Sequence, residues 1–213
     1  MTTKTSLFRR PATWLSAAVL GAALLTGCAG PQIADYAAEK PTLDMRQYFN
    51  GTLDAYGVFT DRSGKVVKRF TVVMTCQWVD NTGTLDEDFS YSDGTKSRRI
   101  WTLVRTPDGK YTGTAADVIG TAQGEEKGNA FRWGYTLDLP VDGPAAAGPP
   151  QGKDAPSGGS AVREATNVGA QRTVEVQFDD WMYLMNDKVM LNKAVMSKFG
   201  FKLGEVTLSF VKR

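Results

Sequence analysis

The chain has 213 residues, with 25 lysine and arginine residues against 23 aspartate and glutamate residues, and a formal net charge of +2. This near-neutral balance gives no electrostatic basis for binding nucleic acid, which depends on a strongly basic surface. No histidine occurs anywhere, and its absence excludes a Ser-His-Asp triad, a Cys-His pair and a histidine-containing zinc site.

Residues 1–27 have the parts of a secretory signal. Lys4, Arg9 and Arg10 make a positive start, the stretch 12–25 is an apolar middle, and small residues follow it. The apolar run is shorter than the about 20 residues that a transmembrane helix needs. We therefore predict a cleaved signal peptide instead of a membrane-spanning helix.

Leu25-Thr26-Gly27-Cys28 closes this leader and resembles the lipobox of bacterial lipoproteins. The resemblance implies that Cys28 carries a diacylglyceryl thioether and that the new amine is acylated, for example with palmitate. Two or more acyl chains anchor a protein stably, so the membrane would be a partner through Cys28. Ala29 is not the Asp that often retains lipoproteins at the inner membrane, so we expect an outer-membrane anchor facing the periplasm.

Residues 28–44 show no hydrophobic period and contain Pro31 and Pro41. A segment without a period that is interrupted by prolines behaves as a flexible coil. We predict a flexible tether here, followed by a single domain over residues 45–213.

Residues 45–213 alternate short runs rich in β-branched and aromatic residues with turns built on Gly, Asn and Asp. Period two is clearest in 65–79 and 130–139, where every second residue is apolar. The predicted runs are 49–59, 65–79, 84–91, 96–105, 110–120, 121–125, 130–139, 173–178, 189–199 and 202–211. The pattern predicts an all-β, antiparallel fold, with residues 179–187 left open between strand and helical turn.

An antiparallel sheet of about eight to ten strands can close into a barrel, which removes exposed edges. Our first prediction is a lipocalin-like barrel, and a two-sheet sandwich is the second. Residues 143–170 are almost wholly Pro, Gly and polar residues, a composition that cannot bury enough apolar surface to order itself. We predict a disordered loop there, within the single domain.

Several local motifs resemble a family of proteobacterial lipoproteins known only as a domain of unknown function. They are Tyr48-Phe49-Asn50-Gly51, Asp117-Val118-Ile119-Gly120 with Gly128-Asn129-Ala130, Phe178-Asp179-Asp180-Trp181-Met182-Tyr183, and Met196-Ser197-Lys198-Phe199-Gly200. The resemblance covers most of the chain from Tyr48 onward, apart from the long loop. It implies the location and the barrel fold, and it brings no catalytic residues.

Candidate contact residues come from charged and aromatic positions on strands. Arg99 shares a strand face with Trp101 and would bind a carboxylate or phosphate if that face points inward, since guanidinium matches those anions. The alternatives are a solvated Arg99, or a buried one paired with Asp54 or Asp117. The parity of the strand does not decide among them.

Adjacent carboxylates such as Asp179 and Asp180 point to opposite faces of a strand. The alternative is a strand end at which these residues cap backbone N–H groups, and we favour that interpretation over a ligand contact for Asp180 and Trp181. Trp133 and Tyr135 share an apolar face that is either core or the wall of a ligand cavity.

The remaining features indicate neither a metal nor a cofactor. Asp86-Glu87-Asp88 lacks the spacing of a calcium loop, so we interpret it as an exposed acidic turn. Cys76 lies on an apolar strand face and is predicted to be buried and unreactive. We predict no catalytic residues, no cofactor and no metal.

Two functions remain in view. The first is a membrane-anchored, non-enzymatic envelope lipoprotein whose barrel binds an apolar or amphipathic ligand. The second is a scaffold with a filled barrel that contacts an unidentified protein partner. An enzyme without histidine would need paired carboxylates, and no such pair can be placed, so we predict that the chain is not an enzyme.

Overall fold

Ten antiparallel strands close into a barrel in the computed structural model, which describes residues 30–140 and 173–213. The strands are β1 (Gly51–Asp61), β2 (Val66–Val79), β3 (Thr82–Tyr91), β4 (Lys96–Arg105), β5 (Lys110–Thr114), β6 (Ala122–Lys127), β7 (Ala130–Pro140), β8 (Thr173–Leu184), β9 (Val189–Lys198) and β10 (Phe201–Lys212). Each strand pairs with its neighbours in sequence, and β1 pairs with β10 to complete the ring. The predicted all-β barrel is confirmed, and the sandwich is not formed.

Alternation along the strands decides which side chains fill the interior. In β2, Val72, Met74 and Cys76 are buried while Val73 and Thr75 between them are exposed. The inward faces of the other strands add to the same apolar core. Burial raises the pKa of the Cys76 thiol to about 12, so the thiol is buried as predicted and stays protonated at neutral pH.

Two strand boundaries differ from prediction. The predicted run 110–120 is strand only as far as Thr114, and residues 115–121 then leave the sheet as a loop. The open segment 179–187 is strand as far as Leu184, because β8 continues straight through it, paired with β7 and β9. The acidic run 86–88 lies in the middle of β3 and is not a turn.

A short helix closes one end of the barrel. Helix α1 (Met45–Tyr48) begins after Asp44, whose side chain caps it by accepting hydrogen bonds from the next backbone amides. The Tyr48 hydroxyl donates to the carbonyl oxygens of Lys188 (3.0 Å) and Phe210 (3.1 Å), at the ends of the adjacent strands. Met45 in the helix is 2% exposed and lines the cavity of the barrel, so the apolar side of the helix packs against the barrel interior.

The segment 33–44 is docked on the outside of the barrel. Its 3-10 helix (Ile33–Tyr36) places the Tyr36 hydroxyl 3.1 Å from that of Tyr183, and Leu43 is buried. Only glycine leaves room for this segment at position 128. The φ of Gly128 is +54°, and a Cβ there would lie 1.8 Å from the carbonyl oxygen of Tyr36. The prediction of a flexible tether over 28–44 is therefore wrong from residue 33 onward.

The described residues between Ile33 and Arg213 form one compact unit. The predicted signal peptide 1–27, the predicted lipid site Cys28 and the predicted disordered loop 143–170 lie outside the described residues. Within residues 30–140 and 173–213, no helix has the length and apolar character needed to cross a membrane.

Candidate functional site in the barrel interior

The interior of the barrel contains a cavity of about 110 Å³. This volume is below the roughly 300–1,000 Å³ of pockets for drug-sized ligands, and near the about 150 Å³ of an engineered apolar cavity that binds benzene. The space suits a benzene-sized group or a short alkyl chain. Its apolar walls include Phe89, Trp101, Trp133, Tyr135, Phe178 and Met182.

The aromatic walls are interlocked. Trp101 meets Trp133 and Tyr135 edge to face, with ring centroids 5.7 and 5.3 Å apart, and Tyr135 stacks on Phe178 at 5.0 Å. Such pairs add to the stability that burial alone provides. Three predicted contact residues, Trp101, Trp133 and Tyr135, are therefore brought together around the cavity.

Arg99 points into the barrel, and Asp117 is its partner. The Arg99 side chain is 8% exposed, and its Nε lies 3.0 Å from Oδ2 of Asp117, in a bidentate pair. Burial alone lowers the pKa of Arg99, but the charge of Asp117 raises it above its ordinary value. Asp54, the other partner considered from the sequence, instead forms an ion pair with Arg213.

The loop after β5 positions Asp117. Within this loop the amide of Ile119 donates to the carbonyl of Thr136, and the amide of Asp138 donates to the carbonyl of Asp117. The loop is thus fastened to β7 by backbone hydrogen bonds, while its carboxylate reaches Arg99 on β4. An aspartate outside the sheet thereby supplies a charge to the interior.

Asp179 and Asp180 separate to the two sides of β8. Asp179 forms an ion pair with Arg132 on the outer surface, where both side chains are more than two-fifths exposed. Asp180 is 7% exposed and lines the cavity. The strand-end interpretation of this pair is wrong, because β8 continues for four residues beyond Asp180.

Trp181 lies on the outer side of the barrel, although it is buried. The Tyr36 ring covers it at a centroid distance of 5.6 Å, and the Arg132 guanidinium lies 5.1 Å from its ring. Its burial results from the docked N-terminal segment, not from the cavity. Trp181 is therefore not a contact for a ligand inside the barrel.

Asp180 is incompletely hydrogen-bonded. The Tyr135 hydroxyl donates to its Oδ2 at 3.3 Å, whereas its Oδ1 has no partner among the described residues. Asn192 on β9 also lines the cavity and is 2% exposed. Its amide faces Asp180 closely enough to lower the pKa of that carboxyl, but neither amide atom makes a well-formed hydrogen bond within the described part of the chain. Buried polar atoms are normally paired, so these three atoms mark a place where a ligand or solvent would bind.

Glu87 adds a third carboxyl group to the interior. It lines the cavity from β3, in register with Arg99 on β4, and the charge of Arg99 acts on it, while the hydrogen bonds of Arg99 go to Asp117. Its neighbours Asp86 and Asp88 face outward, and Asp86 forms an ion pair with Arg98.

Burial governs the titration of the cavity acids. It raises the pKa of Glu87 to about 7, although Arg99 opposes the shift. It also raises the pKa of Asp180 to about 7, although the hydrogen bond from Tyr135 opposes the shift. Desolvation disfavours the charged form of a carboxyl group. Both groups therefore change their ionisation near neutral pH.

Sequence reasoning missed Glu87 and Asn192. Glu87 alternates with Leu85 and Phe89, and Asn192 with Met190 and Ala194, all four of them buried. A polar residue at a position where the alternation of a strand calls for an apolar one indicates a functional side chain, and this signal is present in the sequence. For Glu87 this signal is hard to see, because its acidic neighbours Asp86 and Asp88 make the whole run resemble a polar turn.

No group of three or more residues suited to hold a metal ion occurs in residues 30–140 or 173–213. The cavity carboxyls of Glu87 and Asp180 are instead set among aromatic rings, which are not metal ligands. The arrangement fits an organic ligand better than a metal ion.

A comparison with protein families identifies the family of the chain. A family model described as "Protein of unknown function (DUF3833)" matches residues 22–147 and 165–212, which is most of the sequence. The chain belongs to this family. The resemblance to a family of unknown function is thereby confirmed, whereas its proteobacterial lipoprotein origin stays a prediction. No curated protein matches the DUF3833 chain.

A solved structure shares the barrel. The S-type phycobiliprotein lyase CPES from Guillardia theta superposes with a TM-score of 0.51 over 86% of this chain and 98% of its own, at 7% identity. Identity this low shows similarity of fold alone. It supports the lipocalin-like architecture predicted from the sequence.

The same comparison corrects one prediction. We predicted that the chain is not an enzyme. The prediction is contradicted, because the matching barrel belongs to a protein named as a lyase. The absence of histidine removes only histidine chemistry. The cavity of this DUF3833 protein holds two carboxyl groups with raised pKa, which are groups of the kind that enzymes use.

Proposed function

We propose that this protein binds a small amphipathic molecule inside its barrel. The observation that carries the proposal is the incomplete hydrogen bonding of Asp180 and Asn192, two buried neighbours in the wall of a largely apolar cavity. A ligand that satisfies them while burying hydrocarbon against the aromatic walls would gain from both interactions. The lyase barrel from Guillardia theta supports the fold only.

Filling the cavity is expected to weaken binding. Ala194 lines the cavity from β9 and is 2% exposed, so Ala194→Phe would occupy the space that a ligand needs. With 1-hexanol as the probe in titration calorimetry, we expect an affinity at least about tenfold lower than for the unaltered chain, equivalent to about 1.4 kcal/mol.

Val195→Phe is the matched control, because Val195 is the next residue and faces outward. We expect it to bind 1-hexanol as the unaltered chain does. Equal affinities of the two phenylalanine variants would show that hexanol does not bind in the cavity.

The scaffold alternative requires a filled interior, which the cavity makes less favourable. Phe199 and Phe201, 83% and 76% exposed at the turn between β9 and β10, are the apolar surface that a protein partner would use. Lys198 lies 5.1 Å from the centre of the Phe199 ring. The cavity, and not this surface, is the reason that the ligand-binding function is preferred.

We infer from the leader sequence that Cys28 anchors the protein to the outer membrane, facing the periplasm. In cells fed labelled palmitate, the unaltered chain should carry label and Cys28→Ala should carry none and leave the membrane fraction. Cys76→Ala is the control, since the chain has only two cysteines and Cys76 is buried. An unlabelled wild-type chain would refute the anchor.

A further inference from the structure

Among the polar groups around the cavity, carboxyl groups outnumber positively charged groups. Facing the space are Glu87 on β3, Arg99 on β4, Tyr135 on β7, Asp180 on β8 and Asn192 on β9. Asp117 reaches Arg99 from the loop after β5. Three carboxyl groups thus accompany one guanidinium.

The guanidinium group of Arg99 is already paired with a carboxylate of the protein. Both Nε and a terminal nitrogen of Arg99 bond to the Asp117 carboxylate. Oδ1 of Asp180 has no well-formed hydrogen bond among the described residues. Arg99 makes its short bonds to Asp117 and acts on Glu87 only through its charge. An anionic ligand would bring a further negative charge to a site whose cation is paired, at a high desolvation cost.

Aromatic rings surround the carboxyl groups of Asp180 and Glu87. Tyr135 donates its hydroxyl to Asp180 and stacks on Phe178, while Trp101 packs edge-on against Tyr135. The faces of aromatic rings attract organic cations. Carboxyl groups beside aromatic walls are therefore complementary to an ammonium group bearing hydrocarbon.

We propose that the cavity selects a small organic amine, whose ammonium group donates hydrogen bonds to Asp180 and Glu87 and whose hydrocarbon part packs against Trp101, Trp133 and Phe178. This inference rests on the proposed binding function and names the ligand class. The cavity volume of about 110 Å³ suits an amine with a short alkyl chain or a single ring.

Binding of an amine should depend on pH in a defined direction. One of the two carboxyl groups, Glu87 or Asp180, must be ionised to form an ion pair with an ammonium group, while the other can accept a hydrogen bond in its neutral form; burial raises the pKa of each to about 7. A simple alkylamine stays protonated well above pH 8, as lysine does. Affinity should therefore rise about tenfold between pH 6 and pH 8, as the ionised fraction of one such carboxyl rises.

The test compares three probes of equal chain length: 1-hexylamine, 1-hexanol and hexanoate. Calorimetric titration of the purified chain at pH 8 should give hexylamine at least tenfold tighter than hexanol, and hexanoate weakest. From pH 6 to pH 8, hexylamine should gain about tenfold while hexanol stays unchanged. Asp180→Asn and Glu87→Gln, which keep the side-chain shapes, should each remove the preference for the amine.

Each outcome separates the two proposals. Hexanol or hexanoate binding as tightly as hexylamine would overturn the amine inference and leave the binding function in place. The absence of heat from all three probes would overturn the binding function itself. An undiminished amine preference in both amide variants, with their folding checked by circular dichroism, would also overturn the assignment to Asp180 and Glu87.

Discussion

Replacing Arg99 by methionine is expected to lower the free energy of unfolding by about 3–5 kcal/mol, the usual cost of removing one partner of a buried ion pair. Arg99 and Asp117 are 8% and 15% exposed, so water would not replace the lost guanidinium. Glu87 would also lose the positive charge that opposes its raised pKa. Urea titration followed by tryptophan fluorescence measures the change.

Arg98→Met is the matched control. Arg98 is the preceding residue on β4, is 56% exposed, and forms an ion pair with Asp86 on the surface. Exposed pairs contribute little because solvent screens them, so stability should hardly change. Similar losses from both substitutions would refute the interior role of Arg99.

A double variant separates the charge from the packing. Arg99→Met with Asp117→Leu replaces both partners by apolar side chains, and such replacements are often neutral. We expect it to recover at least half of the loss seen for Arg99→Met alone. No recovery would mean that the cost comes from the arginine stem or from the loop, and not from an unpaired carboxylate.

Stability should fall as pH rises from 5 to 8. The unfolded chain has already lost its carboxyl protons at pH 5, whereas burial keeps the pKa of Glu87 and Asp180 at about 7 in the folded chain. The folded state then binds more protons, so their stabilising contribution is lost as pH passes through about 7. We expect a decrease of about 2–5 kcal/mol over this window.

The chain is well suited to this measurement. It has no histidine, the side chain that usually titrates between pH 5 and 8. Glu126 contributes in the same direction, because burial raises its pKa. Acids with lowered pKa, such as Asp93 at about 2 through its bonds to Thr95, lose their contribution only in more acidic solution.

Neutral variants provide the control for the pH dependence. Glu87→Gln and Asp180→Asn cannot ionise, so the double variant should keep most of its stability between pH 5 and 8. Denaturant unfolding at a series of pH values tests this. A slope equal to that of the unaltered chain would assign the pH dependence elsewhere.

Binding of an amine and the fall of stability with pH both follow from the burial of Glu87 and Asp180. Without a ligand, the cavity acids hold protons because ionisation in an apolar interior is costly. A bound ammonium group would favour the ionised forms and so offset that cost. Stabilisation by hexylamine should therefore be larger at pH 8, where the free chain is least stable.

Much of the barrel was predictable from local pattern. The alternation in β2 and β7 and the turn signals near Gly64 and Gly109 predicted the strands to within a few residues. About eight to ten strands were expected and ten are observed. The continuation of β8 through Asp180 was not predictable, since the strand is held by partners on both sides.

The candidate site was predictable only in part. Arg99, Trp101, Trp133 and Tyr135 were identified as candidates, and they do meet around the cavity. Trp181 was also a candidate, yet the docked segment that covers it had been predicted to be free. Local pattern places Trp181 on a face, but it does not reveal what packs on that face.

The sequence by itself determined the antiparallel strands, the faces on which residues lie together, and the absence of histidine chemistry. These are local properties, since side chains alternate with a period of two whatever the rest of the chain does. Only the tertiary structure decided that Arg99, Glu87 and Asp180 point inward and that Asp117 pairs with Arg99. Those outcomes depend on closure of β1 onto β10, which joins distant parts of the chain around one interior where side chains are shielded from solvent.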